Sequence, residues 1–163
     1  RSFHDGNAVD ISEAVQKFSI NYSQNLIIDT SLYDGVLKGL KDLESQGYTM
    51  AVLSNKPGDL CRNISNHFNI DQYFIAVFGG GDAPNLKPEP DGMKKIIKTA
   101  ELNGFRNTGD NIWMVGDHHT DLQLAENAAV KSIYCNYGFG FKKNINPWFE
   151  ADTFNEIVSI ISG

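Results

Sequence analysis

A chain of 163 residues, 41% of them apolar, is long enough for one compact domain with its own core. Its net charge of −6 excludes the broadly basic surface that a nucleic acid or an anionic membrane would require, while leaving room for a few local cations around a phosphate. Two cysteines, Cys61 and Cys135, cannot build a disulfide framework; with no membrane-length apolar stretch and no signal-peptide pattern, a reduced, soluble, cytoplasmic protein is expected.

The first third reads as helical. Asp10 and Glu13 have capping-box spacing, and Ala14, Val15, Phe18 and Tyr22 then share one helical face. Asp34 precedes a second helix whose stripe is Val36, Leu37, Leu40 and Leu43 and whose end is marked by Gly47. The period then changes. Met50, Ala51, Val52 and Leu53 form an unbroken apolar run, as expected of a strand covered on both faces. A helix follows from Pro57 with Leu60, Ile64 and Phe68 in line, then a short strand over residues 74–78 and a turn at Gly79, Gly80 and Gly81.

The second half repeats the alternation. Pro90 stands where a first helical position would be, and Met93, Ile96, Ile97 and Ala100 keep helical spacing after it. Residues 112–115 read as a buried strand, Thr120 and Gln123 have capping-box spacing for the next helix, and residues 131–135 read as another strand. Thr153 with Glu156 opens a final amphipathic helix through Ile157, Ile160 and Ile161. Strands alternating with helices over short links predict an α/β fold, a Rossmann-like parallel sheet with helices on both faces. The stretch 137–149 is a long loop rich in Gly, Asn and aromatics, long enough to lie over a site.

In open parallel sheets ligands gather at the carboxyl ends of the strands, and three polar clusters fall at such ends here. In "LSNKP", Ser54 and Asn55 follow the run that ends at Leu53. In "NLKPEP", Lys87 lies in a loop kept extended by Pro88. In "VGDHHTD", Asp117 and Asp121 stand four residues apart. A hydroxyl, a lysine and two carboxylates converging on one spot suit a phosphate with Mg²⁺, a hard cation that takes oxygen ligands.

Each residue also has a plainer role. Asp121 in a first helical turn favours the helix dipole, Asp117 after a glycine suits a turn, Ser54 can cap a helix and Lys87 can be a solvated loop charge. His118 and His119 have no further His or Cys at ligand spacing and read as solvent-facing loop residues rather than a transition-metal pair. Cys61, on a helix without a motif, reads as a small packing residue. Ser54 and Lys87, both placed in loops, are expected to serve function and to be dispensable for folding.

The ordered strings "YDGVLKGLKDLESQGYTMAVLSNKP", "FGGGDAPNLKPEPDGM" and "MVGDHHTDLQLAENA", continued by "YCNYGFG" and "ADTFNEIVSII", resemble the haloacid dehalogenase-like phosphohydrolases, most closely their phosphoglycolate phosphatase-like branch. The resemblance runs from about Tyr33 to the C-terminus. It implies a core over residues 33–163, with residues 1–32 as the C-terminal part of a helical cap. It further implies that Ser54, helped by the Asn55 backbone, binds the transferring phosphoryl group and that Lys87 bridges phosphate and nucleophile. Asp117 would ligate Mg²⁺, and Asp121 would complete or orient the metal shell. The substrate implied is a small phosphorylated metabolite such as a phosphoglycolate-like phosphomonoester.

One part of the family pattern is missing. The family's attacking aspartate and its acid/base aspartate lie in Asp-x-Asp-Gly-Thr at the end of a central strand. The nearest string here, "FHDGNAVD", has Phe3 at the nucleophile position and Asn7 in place of Thr, with no apolar strand before it. The expectation is therefore a fragment of a Mg²⁺-dependent phosphatase that works through an aspartyl-phosphate, lacking its central strand and inactive as it stands. The alternative is a catalytically dead remnant that keeps phosphate or metal affinity as a binding or regulatory module.

Overall fold

The structure is a computed structural model and describes residues 30–108 and 110–163. The chain divides into two compact units, Arg1–Ser31 and Leu32–Gly163. The helix expected from Asp10 and all but the last three residues of the expected cap segment lie outside the described residues.

The second unit contains helix α1 (Val36–Ser45), strand β1 (Met50–Pro57), helix α2 (Gly58–His67) and strand β2 (Phe74–Gly80). There follow α3 (Asp91–Leu102), β3 (Trp113–Gly116), α4 (His119–Ala128), β4 (Lys131–Cys135), β5 (Phe149–Ala151) and α5 (Phe154–Ser162). The α/β alternation is as the periodicity predicts, and every strand pair is parallel. β1 pairs with β2 in one sheet, with Leu53 opposite Phe78, and β3, β4 and β5 form a second, with Val115 opposite Ile133. No described helix is long and apolar enough to cross a membrane.

Several local signals act as read. The apolar stripe of α1 buries Leu40 and Leu43, and Gly47 after it adopts φ 84°, the left-handed conformation that glycine takes most easily. Thr153 caps α5 by accepting a hydrogen bond from the Glu156 N–H. Other signals shift. β1 runs on to Pro57 and β2 to Gly80, so only Gly81, with φ 95°, turns the chain. Pro90 caps α3 from just outside the helix. The box expected at Thr120 and Gln123 stands two residues earlier, because β3 ends at Gly116 and the His118 ring supplies the acceptor for the Thr120 N–H. β5 was not foreseen: three residues carry too little periodicity to signal a strand, and only pairing with β4 creates it.

Two apolar clusters hold the layers together. Met93, Met114, Leu124, Ala125 and Val130 form one, with Leu53 of the other sheet packed against it. Ile133, Cys135, Ala151 and Ile157 form the second, under α5. α1 approaches α5 closely at Gly39, where a Cβ would lie 2.5 Å from the Phe154 ring. Among the described residues β1 pairs only with β2, and β3 only with β4. An apolar cleft of about 390 Å³ lies between the two sheets, lined by Met50, Ala51 and Leu53 on one side and Trp113, Met114 and Val115 on the other. The run 50–53 is consequently half-buried rather than covered on both faces, because one edge of β1 borders that cleft.

Candidate active site

The residues that follow Leu53 and Val115 stand at the carboxyl end of this cleft, and Lys87 joins the two sides. Its Nζ donates to the Leu53 carbonyl oxygen at 2.8 Å and to Asp121 Oδ1 at 2.7 Å. The two side chains are 11% and 7% exposed, so this is a buried ion pair rather than a solvated loop charge. Removing Lys87 alone would leave the Asp121 charge buried without this partner, which puts the expectation that Lys87 is dispensable for folding to a direct test. One ammonium ties the end of β1 to the first turn of α4.

Asp121, expected to favour the helix dipole, makes two contacts. Its Oδ2 accepts the His118 N–H at 3.1 Å, completing the capping box of α4, while Oδ1 meets Lys87. The carboxylate folds back against the strand end only because residue 116 is glycine, where a Cβ would sit 2.3 Å from Asp121 Oδ2.

Asp117 is engaged by the long loop. Its Oδ2 accepts the N–H groups of Phe139 and Gly140 at 2.8 and 2.9 Å, and the Phe141 carbonyl accepts the His119 N–H at 2.9 Å. Side chains would block this closure, since a Cβ at Gly138 would lie 2.1 Å from Asp117 Cβ and one at Gly140 would lie 2.3 Å from the Asp117 oxygen. The loop thus lies against the candidate metal ligand, as its length and composition suggested.

Ser54 is half-buried, and its Oγ accepts the Lys56 N–H at 3.1 Å. Ser54, Asn55 and Lys87 line one small cavity of about 10 Å³, room for one water-sized group. Asn55 has a role the sequence did not disclose. Its Oδ1 accepts the Lys87 N–H at 2.8 Å, and its Nδ2 donates to the Lys87 carbonyl at 2.9 Å. The structure therefore groups Ser54, Asn55, Lys87 and Asp121, and sets Asp117 against the 138–140 turn.

Neighbouring groups were not visible in the sequence. Asp82 Oδ2 accepts the Gly79 N–H at 2.8 Å and an Arg62 N–H at 2.9 Å. These two contacts, the backbone bond first, hold its carboxyl below the usual carboxylate range against partial burial. His118 and His119 are not loop residues: they cap and open α4, with ring centroids 4.0 Å apart and Phe141 against both. Desolvation, then the neighbouring His118, pushes His119 below its ordinary value, which favours the neutral ring. Burial pushes the Cys135 thiol up, and does the same to the Tyr137 phenol, which favours the neutral form of both. Cys61 is buried, a packing residue as read.

A divalent cation would find few protein ligands. Among the described residues no group of three or more His, Cys, Asp or Glu is placed to hold a metal. The donor set nonetheless suits a hydrated, oxygen-seeking ion such as Mg²⁺, which binds through one or two carboxylates and retains several waters. Asp117 fits as the direct ligand, because the loop contacts engage Oδ2, while Asp121 is engaged at both oxygens and fits a supporting position.

The family model for haloacid dehalogenase-like hydrolases matches residues 3–135. The chain belongs to this family. Within it, the chain is 30% identical over 149 residues to a phosphoglycolate phosphatase of Colwellia psychrerythraea, covering 90% of this chain and 64% of that protein. It is 31% identical over 134 residues to a phosphoglycolate phosphatase of Vibrio parahaemolyticus, covering 80% and 57%. A crystal structure from Haemophilus somnus, described as a predicted phosphoglycolate phosphatase, superposes with a TM-score of 0.82 at 28% identity, over 94% of this chain and 68% of that one. This haloacid dehalogenase-like chain thus spans under two thirds of the length of these two curated relatives.

Proposed function

We propose that this chain forms the phosphate-binding and metal-binding part of a Mg²⁺-dependent phosphatase acting on a small phosphorylated metabolite through an aspartyl-phosphate. The observation that carries the proposal is the Lys87 ammonium, anchored at the mouth of the cleft between Leu53 and Asp121 and sharing a cavity with Ser54. The names of the relatives favour a phosphoglycolate-like phosphomonoester as substrate.

In this reading Ser54 Oγ and the Asn55 N–H hydrogen-bond phosphate oxygens, and Lys87 offsets their charge. Asp117 would hold Mg²⁺, with Asp121 orienting the shell from behind. A bound Mg²⁺ would neutralise phosphate charge and fix its orientation. Asp121 steers the ammonium by holding it 2.7 Å away. The attacking and acid/base carboxylates would be carried on a strand seated in the cleft, where the edges of β1 and β3 left unpaired among the described residues could take it on both sides.

Inorganic phosphate titrated into the chain by calorimetry, with and without Mg²⁺, tests the binding half. Binding that Mg²⁺ strengthens, and that Lys87→Ala and Asp117→Asn each weaken about tenfold or more, is the expected result. For turnover, the coding sequence upstream of Arg1 is read for Asp-x-Asp-Gly-Thr, and phosphoglycolate hydrolysis is assayed with and without that segment. Hydrolysis only when the segment is present supports the phosphatase. Phosphate binding with no turnover in either form would assign a binding module instead.

A further inference from the structure

Lys87 lies in the irregular stretch between β2 and α3, so neither a ladder nor a helix fixes its backbone. Two asparagines from separate elements do. Asn55 of β1 takes both backbone groups of Lys87, and Asn127 of α4 donates to the Pro88 carbonyl at 2.9 Å. We propose that the Asn55 side chain is a positioning residue for Lys87, hanging the lysine loop on β1 so that the ammonium keeps its place when a ligand competes for it. The purpose assigned to that ammonium rests on the phosphate reading above; the positioning itself does not.

The chemistry selects an amide. A carboxamide presents one acceptor and one donor side by side, which matches the N–H and C=O of a single residue. An aspartate has the same shape but no donor, and would turn an anionic oxygen toward the Lys87 carbonyl. The contacts of Nζ cannot replace this anchor. They hold only the tip of a flexible side chain and use two of its three donors, leaving the third for a phosphate oxygen. Asn55 leaves the ammonium free while fixing the backbone from which it projects.

The test is site-resolved acetylation of the lysines in the full chain, read by mass spectrometry, on the parent, Asn55→Asp and Asn55→Ala. Lys38 serves as internal reference, because it is 75% exposed and lies on α1, away from the site. Alanine removes both hydrogen bonds that close the loop, and aspartate removes the one donated to the Lys87 carbonyl. Lys87 labelling should therefore rise about tenfold or more in Asn55→Ala and by a smaller factor, above about twofold, in Asn55→Asp, with Lys38 unchanged and cooperative melting retained. Lys87 rates within about twofold of the parent in a folded variant overturn the proposal. So does a parallel rise at every lysine, which marks general loosening; if alanine unfolds the chain, the isosteric aspartate variant decides. Inorganic phosphate affinity is measured on the same samples. Faster Lys87 labelling with unchanged phosphate affinity would keep the positioning role and remove the phosphate role of Lys87, so the two readings fail separately.

Discussion

Lys87→Met offers the sharpest test of how this site is built. Methionine keeps much of the length and apolar stem of lysine but removes the charge that meets Asp121 at 2.7 Å and the Leu53 carbonyl at 2.8 Å. With the two side chains 11% and 7% exposed, solvent cannot take over as it would at a surface pair. Breaking a buried pair by removing one partner costs about 3–5 kcal/mol. Asp121 retains the His118 N–H, so the lower end, about 3 kcal/mol, is the expected loss. Against a total stability of about 5–15 kcal/mol this is a large fraction.

Adding Asp121→Asn removes the orphaned charge while its amide oxygen still accepts from His118. The double variant should therefore recover most of the loss. Urea unfolding followed by tryptophan fluorescence should place the Lys87→Met midpoint about 1–2 M below the parent at an unchanged slope, with the double variant between them. A Lys87→Met loss under about 1 kcal/mol, or no recovery in the double variant, would refute the buried-pair argument.

Three further outcomes are expected. Asp82 is held below its ordinary value by Gly79 and Arg62, so its contribution is fully present above about pH 4 and drains away as pH falls through the lower folded value; Asp82→Asn should flatten this part of a melting-temperature profile below about pH 4. Gly138→Ala should cost about 1–3 kcal/mol and speed amide exchange at Phe139 and Gly140, because the new Cβ would lie 2.1 Å from Asp117 Cβ. Cys61 and Cys135 are both buried, and the Cys135 thiol is pushed up, so a thiol reagent at neutral pH should titrate them only after denaturant is added.

The sequence by itself determined what depends on near neighbours. The strand over residues 131–135, the stripe of α1 with its closing Gly47 and the Thr153 cap are all set within a few positions, where apolar periodicity and capping chemistry act directly. The strings around Ser54, Lys87 and Asp117 announced the family for the same reason, since each is a short run at a strand end. Only the tertiary structure decided which groups meet. Asn55 grips Lys87 across 32 positions, Lys87 finds Asp121 across 34, and Asp117 holds the turn at Phe139 and Gly140 across 22 and 23. β5 exists because β4 offers it a free edge, and β1 is half-buried because its own edge borders the cleft. Local patterns fix what each segment prefers. A buried charge, however, is stabilised by whichever partner the chain path brings to it, and no window along the sequence contains both.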